Sequence, residues 1–163
     1  MDGGAASVGA VPRTARADRV DRAALLDFLR ARNRAVLLTC RREGVQLSPV
    51  TYGVDAEGRV VVSTYPQRAK ARNARRDPAV SLCVLSEDFD DPWVQVDGRA
   101  EVLDLPEALE PLVEYFRSIS GEHPDWAEYR AAMVRQGKAL LRITVDSWGP
   151  VATGGFPPEL AGS

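Results

Sequence analysis

The sequence predicts a mainly β protein in which helices flank an antiparallel sheet or small barrel. Five segments rich in β-branched residues follow one another between residues 35 and 104. Most are separated by only a few residues, which suits hairpins and leaves no room for the helical crossovers that parallel strands require. Segments with apolar residues at helical spacing lie mainly before and after this block. The 163 residues suffice for one domain with a single core.

Composition and charge narrow the class of protein. The hydrophobic share of 45% and the charged share of 27% are typical of globular proteins. A net charge of −2 argues against a nucleic-acid binder. The sequence contains neither a run of about 18 apolar residues, which a membrane helix requires, nor a signal peptide, which a secreted protein carries. We therefore expect a cytoplasmic protein with a disordered N-terminal tail at 1–18, a domain at 19–150 and a Gly/Pro-rich C-terminal tail at 151–163.

The elements follow from local periodicity. Leucines at helical spacing predict a first helix over 20–33, with Asp21 as its N-cap and Asn33 at its end. Turn pairs such as Glu43-Gly44 separate the strands that come next. The predicted strands are 35–42, 45–54, 58–65, 79–87, 93–104 and, later in the chain, 138–148.

Asp97-Gly98 in the fifth strand has two interpretations. A DG pair between alternating runs is typical of a two-residue hairpin. The alternation of apolar and polar residues continues through the pair, however, which favours a bulge in one long strand. We expect the long strand.

Two helices are predicted before the last strand. An amphipathic pattern extends from Asp104 to Ser120, and Pro111 within it predicts a late start or a kink. A second, shorter helix contains Trp126 and ends near Gly137. His123, the only histidine, lies between the two helices and is interpreted as a turn or capping residue.

Conventional catalytic groups are few. With a single histidine the chain supports neither a multi-His metal site nor a Ser-His-Asp arrangement, and no metal site is expected. Cys40 and Cys83 lie in apolar runs without CxxC spacing and are predicted to be reduced core residues. An enzyme with so few reactive side chains usually takes its chemistry from a cofactor.

A basic segment stands out in this mildly acidic chain. Four arginines and one lysine occur from Arg68 to Arg76, with only alanines as apolar neighbours. The start of such a helix, directly after a buried strand, suits a phosphate or another compact anion. A solvated charged helix fits the spacing equally well, so spacing alone leaves both interpretations open. The second strand contains Gln46, Ser48 and Pro49. A proline with polar neighbours predicts an irregular strand edge at which a planar ligand would lie.

Two stretches carry a resemblance to a known family. They are QRAKARNARRDPAVSL at 67–82 and YFRSISGEHPDWAEYRAAMV at 115–134. Together with the strand order they resemble the pyridoxamine 5'-phosphate oxidase-like flavin and deazaflavin oxidoreductases, in particular the actinobacterial branch that uses coenzyme F420. The likeness covers about residues 20–150.

The resemblance implies a six-stranded antiparallel split β-barrel of the FMN-binding type. It also implies a homodimer with a cofactor site between the subunits, in which Arg68 and Lys70 bind the phosphate end. The positions that match the family's cofactor-binding residues are Gln46, Ser48, Pro49, Thr51, Val62, Ser63, Thr64, Arg68, Ala69, Lys70, Asn73 and Trp93.

The function implied is an F420-dependent oxidoreductase that transfers a hydride between the deazaflavin and a small conjugated organic substrate. Thr51 and Tyr52 are the hydroxyls considered as proton donors. True pyridoxamine phosphate oxidases carry an Arg and a His near the C-terminus, whereas this chain has only Arg142 after Lys138. The alternatives are an FMN-binding oxidoreductase of the same fold and a non-catalytic F420-binding protein.

Overall fold

In the computed structural model of the protein, residues 13–160 are described, and they form nine strands and four α-helices. The strands are β1 (Arg16–Asp18), β2 (Arg34–Cys40), β3 (Val45–Thr51), β4 (Gly53–Val54), β5 (Val60–Thr64), β6 (Ala79–Leu85), β7 (Val94–Leu103), β8 (Ala139–Trp148) and β9 (Val151–Thr153). The helices are α1 (Arg22–Arg30), α2 (Ala69–Arg76), α3 (Leu109–Ser120) and α4 (Trp126–Gln136), and a 3-10 turn follows at Pro158–Leu160.

Seven of the strands form one antiparallel sheet in the order β3-β2-β6-β7-β8-β5-β4. The sheet curls until β3 and β5 come into contact, although these two strands are not hydrogen-bonded neighbours. This confirms the predicted mainly β, antiparallel split barrel. The sheet has seven strands rather than six because the strand predicted over 45–54 is interrupted at Tyr52.

The interruption at Tyr52 has a packing cause. Its side chain is fully buried, and its hydroxyl donates a hydrogen bond of 2.8 Å to the backbone oxygen of Leu29 in α1. Its backbone N–H donates to Asn33 instead of to a strand. Burial raises the pKa of Tyr52 well above its usual value. The interpretation of Tyr52 as a proton donor to a ligand is therefore wrong, since its hydroxyl is held inside the core.

Asp97 and Gly98 lie within one continuous strand, as expected. The register between β7 and β8 shifts between these two residues, which is the predicted bulge. A side chain at Gly98 would bring a Cβ to 2.0 Å from the backbone oxygen of Thr144. Glycine is therefore required by the close approach of the neighbouring strand.

The two faces of β5 pack against different parts of the molecule. Val60 and Val62 belong to the core inside the barrel, together with residues of β2, β6, β7 and β8. Val61 points the other way, into a second cluster with Leu112 of α3 and Tyr129 of α4. The alternation of side chains along a strand thus fixes α3 and α4 on the outer face of the sheet, beside the split.

Helix ends agree with their capping signals. The Asp21 carboxylate accepts a hydrogen bond of 2.9 Å from the N–H of Ala24 at the start of α1. The third helix starts late, at Leu109, which places Pro111 in the first turn where its missing N–H is tolerated. Gly137 ends α4 with a positive φ of 61°.

The N-terminal tail is shorter than predicted. Residues 16–18 were expected to be disordered, but they form β1 and pair antiparallel with 151–153, within the predicted C-terminal tail. The backbone of Ala152 is in turn hydrogen-bonded to that of Trp93. The prediction is therefore wrong for these residues, whereas residues 1–12 and 161–163 lie outside the described part of the chain.

Cys40 and Cys83 are free and half-buried rather than fully in the core. His123 lies in the turn between α3 and α4, where its Nδ1 accepts a hydrogen bond of 2.9 Å from the N–H of Asp125, in line with the expected turn role. None of the helices within residues 13–160 is both long and apolar enough to cross a membrane.

Candidate functional site

A wedge-shaped groove opens where β3 and β5 separate. β4 pairs with β5, with Gly53 opposite Val61. Continuing this antiparallel register would place Thr51 opposite Ser63, but β3 pairs along its whole length with β2 instead. The two strands therefore diverge beyond Gly53, and the space between them is the split of the barrel.

The groove has a volume of about 500 Å³, a size suited to a small molecule. Its lining residues are Pro49, Val50, Thr51, Val62 and Ser63 from the strands, Tyr115, Phe116, Tyr129, Met133 and Gln136 from α3 and α4, and the two lysines Lys70 and Lys138. The helices therefore form a wall of aromatic and thioether side chains opposite the two strands. One lysine follows β5 and the other precedes β8, and both lie at the same end of β5. This combination suits a flat organic molecule that carries an anionic group at one end.

Tyr115 occupies the vertex of the wedge. Its hydroxyl donates a hydrogen bond of 3.1 Å to the backbone oxygen of Thr51 in β3, and the backbone of Ser63 in β5 lies near the same phenol oxygen. The phenol thus spans the two strands at the point where their direct pairing stops. Burial raises the pKa of Tyr115, so it stays protonated at neutral pH.

The basic helix α2 is held against the barrel by its small and amide side chains. Ala71, Asn73 and Ala74 are buried. The Asn73 amide nitrogen donates hydrogen bonds of 3.0 Å to Thr39 Oγ1 and 3.1 Å to Gln46 Oε1. Asn73 and Gln46 were predicted to bind the cofactor, and the structure shows them bonded to each other at the helix–sheet contact.

Most of the other cations of α2 are engaged away from the groove. Arg75 forms an exposed salt bridge of 2.6 Å with Asp104. Arg76 donates a hydrogen bond of 2.6 Å to the backbone oxygen of Cys40. The Arg72 side chain is exposed to solvent. The basic segment is therefore divided, and its groove-facing part is confined to the first turn.

Cations at the start of α2 form the basic end of the groove. Lys70 is half-buried, and its pKa is lowered by burial and by the charge of Arg68. Lys138 Nζ lies 4.1 Å from the centre of the Tyr65 ring, and Arg68 Cζ lies 6.0 Å from it. Burial and the neighbouring positive charge make the charged form of Lys70 less favourable in the free protein. An anionic ligand would offset both the desolvation and the repulsion, so this end of the groove favours an anion.

Two further observations fit an anionic ligand at this end. No side chain caps the N-terminus of α2, where Arg68 is the N-cap residue, so the first N–H groups of the helix are available to a ligand. Thr64 Oγ1 is buried and has no hydrogen-bond partner within residues 13–160. Thr64 shares its strand face with Val62, which lines the groove. A bound molecule that supplied one polar atom there would satisfy this hydroxyl.

The structure brings some predicted site residues together and leaves others apart. Five of them line the groove, namely Pro49, Thr51, Val62, Ser63 and Lys70. Ser48 is half-buried on the same strand face as Val50, and Arg68 and Ala69 begin α2.

Trp93 does not reach the groove within one chain. It precedes β7, whose opposite end pairs through Leu103 with β8 near the groove. Ten residues of extended strand separate Trp93 from Leu103, about 33 Å. Trp93 is accordingly absent from the residues that line the groove.

Neither the helical wall of the groove nor its third cation was predicted from the sequence. The sequence predicted α3 and α4 as helices but gave their aromatic residues no part in the site. Lys138 precedes β8, in which Ala139 pairs with Thr64, so the lysine lies beside Tyr65. Knowledge of this strand pairing would have found it, whereas local spacing cannot. Among the described residues no group of three His, Cys, Asp or Glu side chains is placed to hold a metal ion.

Comparisons with known proteins agree with this architecture. The sequence profile described as pyridoxamine 5'-phosphate oxidase matches residues 22–152. Among solved structures, a conserved hypothetical protein from Mycobacterium tuberculosis is 24% identical, with a TM-score of 0.70 over 85% of this chain and 89% of that chain. A putative pyridoxamine 5'-phosphate oxidase from Listeria innocua is 14% identical, with a TM-score of 0.59 over 78% and 95%. A protein named F420 reductase is 19% identical, with a TM-score of 0.56 over 75% and 94%. At these identities the structural likenesses establish the fold alone.

Proposed function

Because the chain belongs to the pyridoxamine 5'-phosphate oxidase family, we propose that it is an F420-dependent oxidoreductase. It would transfer a hydride between the deazaflavin and a small conjugated organic substrate. The observation that carries the proposal is the groove between β3 and β5, which combines a flat slot with a basic end. The chain also has the fold of a protein that is named an F420 reductase.

The basic end would bind the anionic part of the cofactor. Arg68 and Lys70 would contact its phosphate together with the free N–H groups at the start of α2. Lys138, the cation that stacks on Tyr65, would add a third positive charge. The anion would offset the desolvation and the charge repulsion that disfavour the charged form of Lys70 in the free protein.

The strands and helices would hold and shield the ring system. The β5 edge at Ser63 and the orphaned hydroxyl of Thr64 would supply polar contacts to one edge of the ring. Phe116 and Met133 on the opposite wall would exclude water from the reacting atoms. The bound deazaflavin supplies hydride chemistry. The protein need only orient the reactants, which agrees with its few reactive side chains.

The proposal includes a homodimer. The edge strand β3 exposes Val45 and Leu47, with 46% and 62% of their surface accessible. A second copy that covered this edge would bury these side chains and close the open side of the groove. It would also bring its own region around Trp93 towards the cofactor, a contact that a single chain cannot make.

An FMN-binding oxidoreductase is the second candidate, and a non-catalytic F420-binding protein is the third. The function of an FMN-binding oxidoreductase is supported by the family itself and by the structural likeness to a putative pyridoxamine 5'-phosphate oxidase. One phosphate and one planar ring would fit the same groove. Purified protein that is yellow and retains FMN would support it, whereas F420 binding without turnover of any enone or quinone would support the binding protein.

Cofactor titration tests the proposal. Fluorescence titrations of the purified dimer with F420 and with FMN should show micromolar or tighter affinity for F420. Arg68→Ala and Lys70→Ala should each weaken it by about 1–3 kcal/mol, the usual range for a charge-assisted hydrogen bond. Arg75→Ala is the matched control, because it removes the same charge from the same helix but pairs with Asp104. Tight FMN binding without F420 binding, or equal losses for all three variants, would overturn the proposal.

A further inference from the structure

The phenol of Tyr115 is fixed at the inner end of the groove. It donates a hydrogen bond to the carbonyl of Thr51, and the backbone of Ser63 lies near the same oxygen. The two strands diverge from this point, so a flat molecule that fills the wedge has its inner edge next to the phenol oxygen. Rotation about the C–O bond is enough to turn the proton of Tyr115 from the Thr51 carbonyl towards such a molecule.

The other protic side chains of the groove are less suited to give up a proton. The hydroxyl of Tyr129 donates a 2.9 Å hydrogen bond to the backbone oxygen of Leu112 and is buried. Lys70 and Lys138 form the basic end, where their charges serve an anion. Thr51 carries an aliphatic hydroxyl, a far weaker acid than a phenol and not among the usual general acids.

We propose that Tyr115 is the catalytic acid of this groove and donates the proton that completes reduction of a conjugated carbonyl acceptor. This inference rests on the proposed function. It replaces Tyr52, whose hydroxyl is held by Leu29 in the core.

The step balances as a two-electron reduction of an enone. The β-carbon of the acceptor gains a hydride from the reduced deazaflavin, which is oxidised, and the electron pair of the C=C bond moves to the α-carbon as an enolate. The α-carbon then forms a C–H bond with the proton of Tyr115 while the phenolic O–H bond breaks. The tyrosinate takes a proton from water, so the enzyme returns to its starting state.

Tyr115→Phe and Tyr52→Phe form a matched pair for the test, because each removes one phenolic hydroxyl bonded to a backbone carbonyl. Reduction of 2-cyclohexen-1-one is followed in H2O and in D2O with F420-loaded protein. Tyr115→Phe should lower kcat by about 10²-fold or more, as expected for loss of a general acid. It should also change the solvent isotope effect on kcat. Tyr52→Phe, whose hydroxyl lies in the core and not in the groove, should keep the wild-type isotope effect, and F420 affinity should stay within about twofold in both variants.

A second readout does not depend on turnover. Wild-type protein labelled with ¹³C at the tyrosine Cζ is loaded with oxidised F420 and mixed with cyclohexanone, which cannot be reduced by it. The resonance that is absent from Tyr115→Phe should shift, and the resonance that is absent from Tyr52→Phe should not.

The outcomes separate the two proposals. Wild-type turnover together with an unchanged kcat and isotope effect in Tyr115→Phe overturns the role of Tyr115 and leaves the proposed function standing. A Tyr115 resonance that does not respond to cyclohexanone also overturns it. A wild-type protein that neither binds F420 nor reduces the enone overturns both.

Discussion

Asn73 should stabilise the fold by fastening α2 to the sheet. Its amide nitrogen is bonded to Thr39 Oγ1 and Gln46 Oε1, and Thr39 is fully buried. In Asn73→Ala, water cannot reach the threonine hydroxyl, which costs about 1–3 kcal/mol for a buried group left without its partner. Loss of the bond to the half-buried Gln46 adds about 1 kcal/mol. The better helix propensity of alanine returns roughly 0.5 kcal/mol, so the variant should lose about 1.5–3.5 kcal/mol.

Urea denaturation measures this loss. With a slope of about 2 kcal/mol per molar urea, the unfolding midpoint should fall by about 1 M or more without a change in slope. Arg72→Ala is the matched control, because it lies on the same helix with an exposed side chain. It should stay within about 0.5 kcal/mol of the wild type.

A double-mutant cycle with Thr39→Val isolates the bond itself. The two substitutions should be non-additive by about 0.5–3 kcal/mol, since each removes the partner of the other. Additive effects, or an Asn73→Ala midpoint equal to that of the Arg72→Ala control, would refute the view that this amide holds the helix.

Two further predictions follow from single contacts. Gly98→Ala should destabilise the protein by about 3 kcal/mol or more in thermal unfolding, because its Cβ would meet the backbone oxygen of Thr144 at 2.0 Å; a loss below about 1 kcal/mol would mean that the bulge can relax. Tyr52→Phe should lower the free energy of unfolding by about 0.5–1.5 kcal/mol, since it removes a buried hydrogen bond to the carbonyl of Leu29, which keeps its bond from the N–H of Arg32. It should leave F420 affinity unchanged, and a weakened affinity with intact stability would instead place its hydroxyl at the ligand.

The order of the strands along the chain and the residues at which they end were largely predictable, because alternation and turn residues are local signals. The continuous strand through Asp97 and Gly98 followed from unbroken alternation, and the late start of α3 followed from Pro111. The break at Tyr52 was not predictable, because it depends on a cavity that α1 and the sheet form together. The pairing of β1 with β9 was missed for a similar reason, since strands this short are specified by the partner that they meet.

The site was predicted in part. The basic turn around Lys70 and the strand residue Ser63 were found, through the resemblance and through the spacing of the cations. The resemblance gave Asn73 as a cofactor-binding position, but its burial against Thr39 makes it a contact that fastens the helix to the sheet.

The sequence by itself determined most of the strands and helices, that these strands run antiparallel, and that positive charge gathers after the strand predicted over 58–65. These properties depend on residues close to one another in the chain. Only the tertiary structure decided which side chains share the groove. The curl of the sheet brings β3 into contact with β5 without pairing the two strands, and the pairing of β8 with β5 brings Lys138 beside Tyr65. The packing of α3 against β5 places Tyr115 between Thr51 and Ser63, residues far from it in sequence. Such contacts are set by sheet register and helix packing, which no local pattern in the chain encodes.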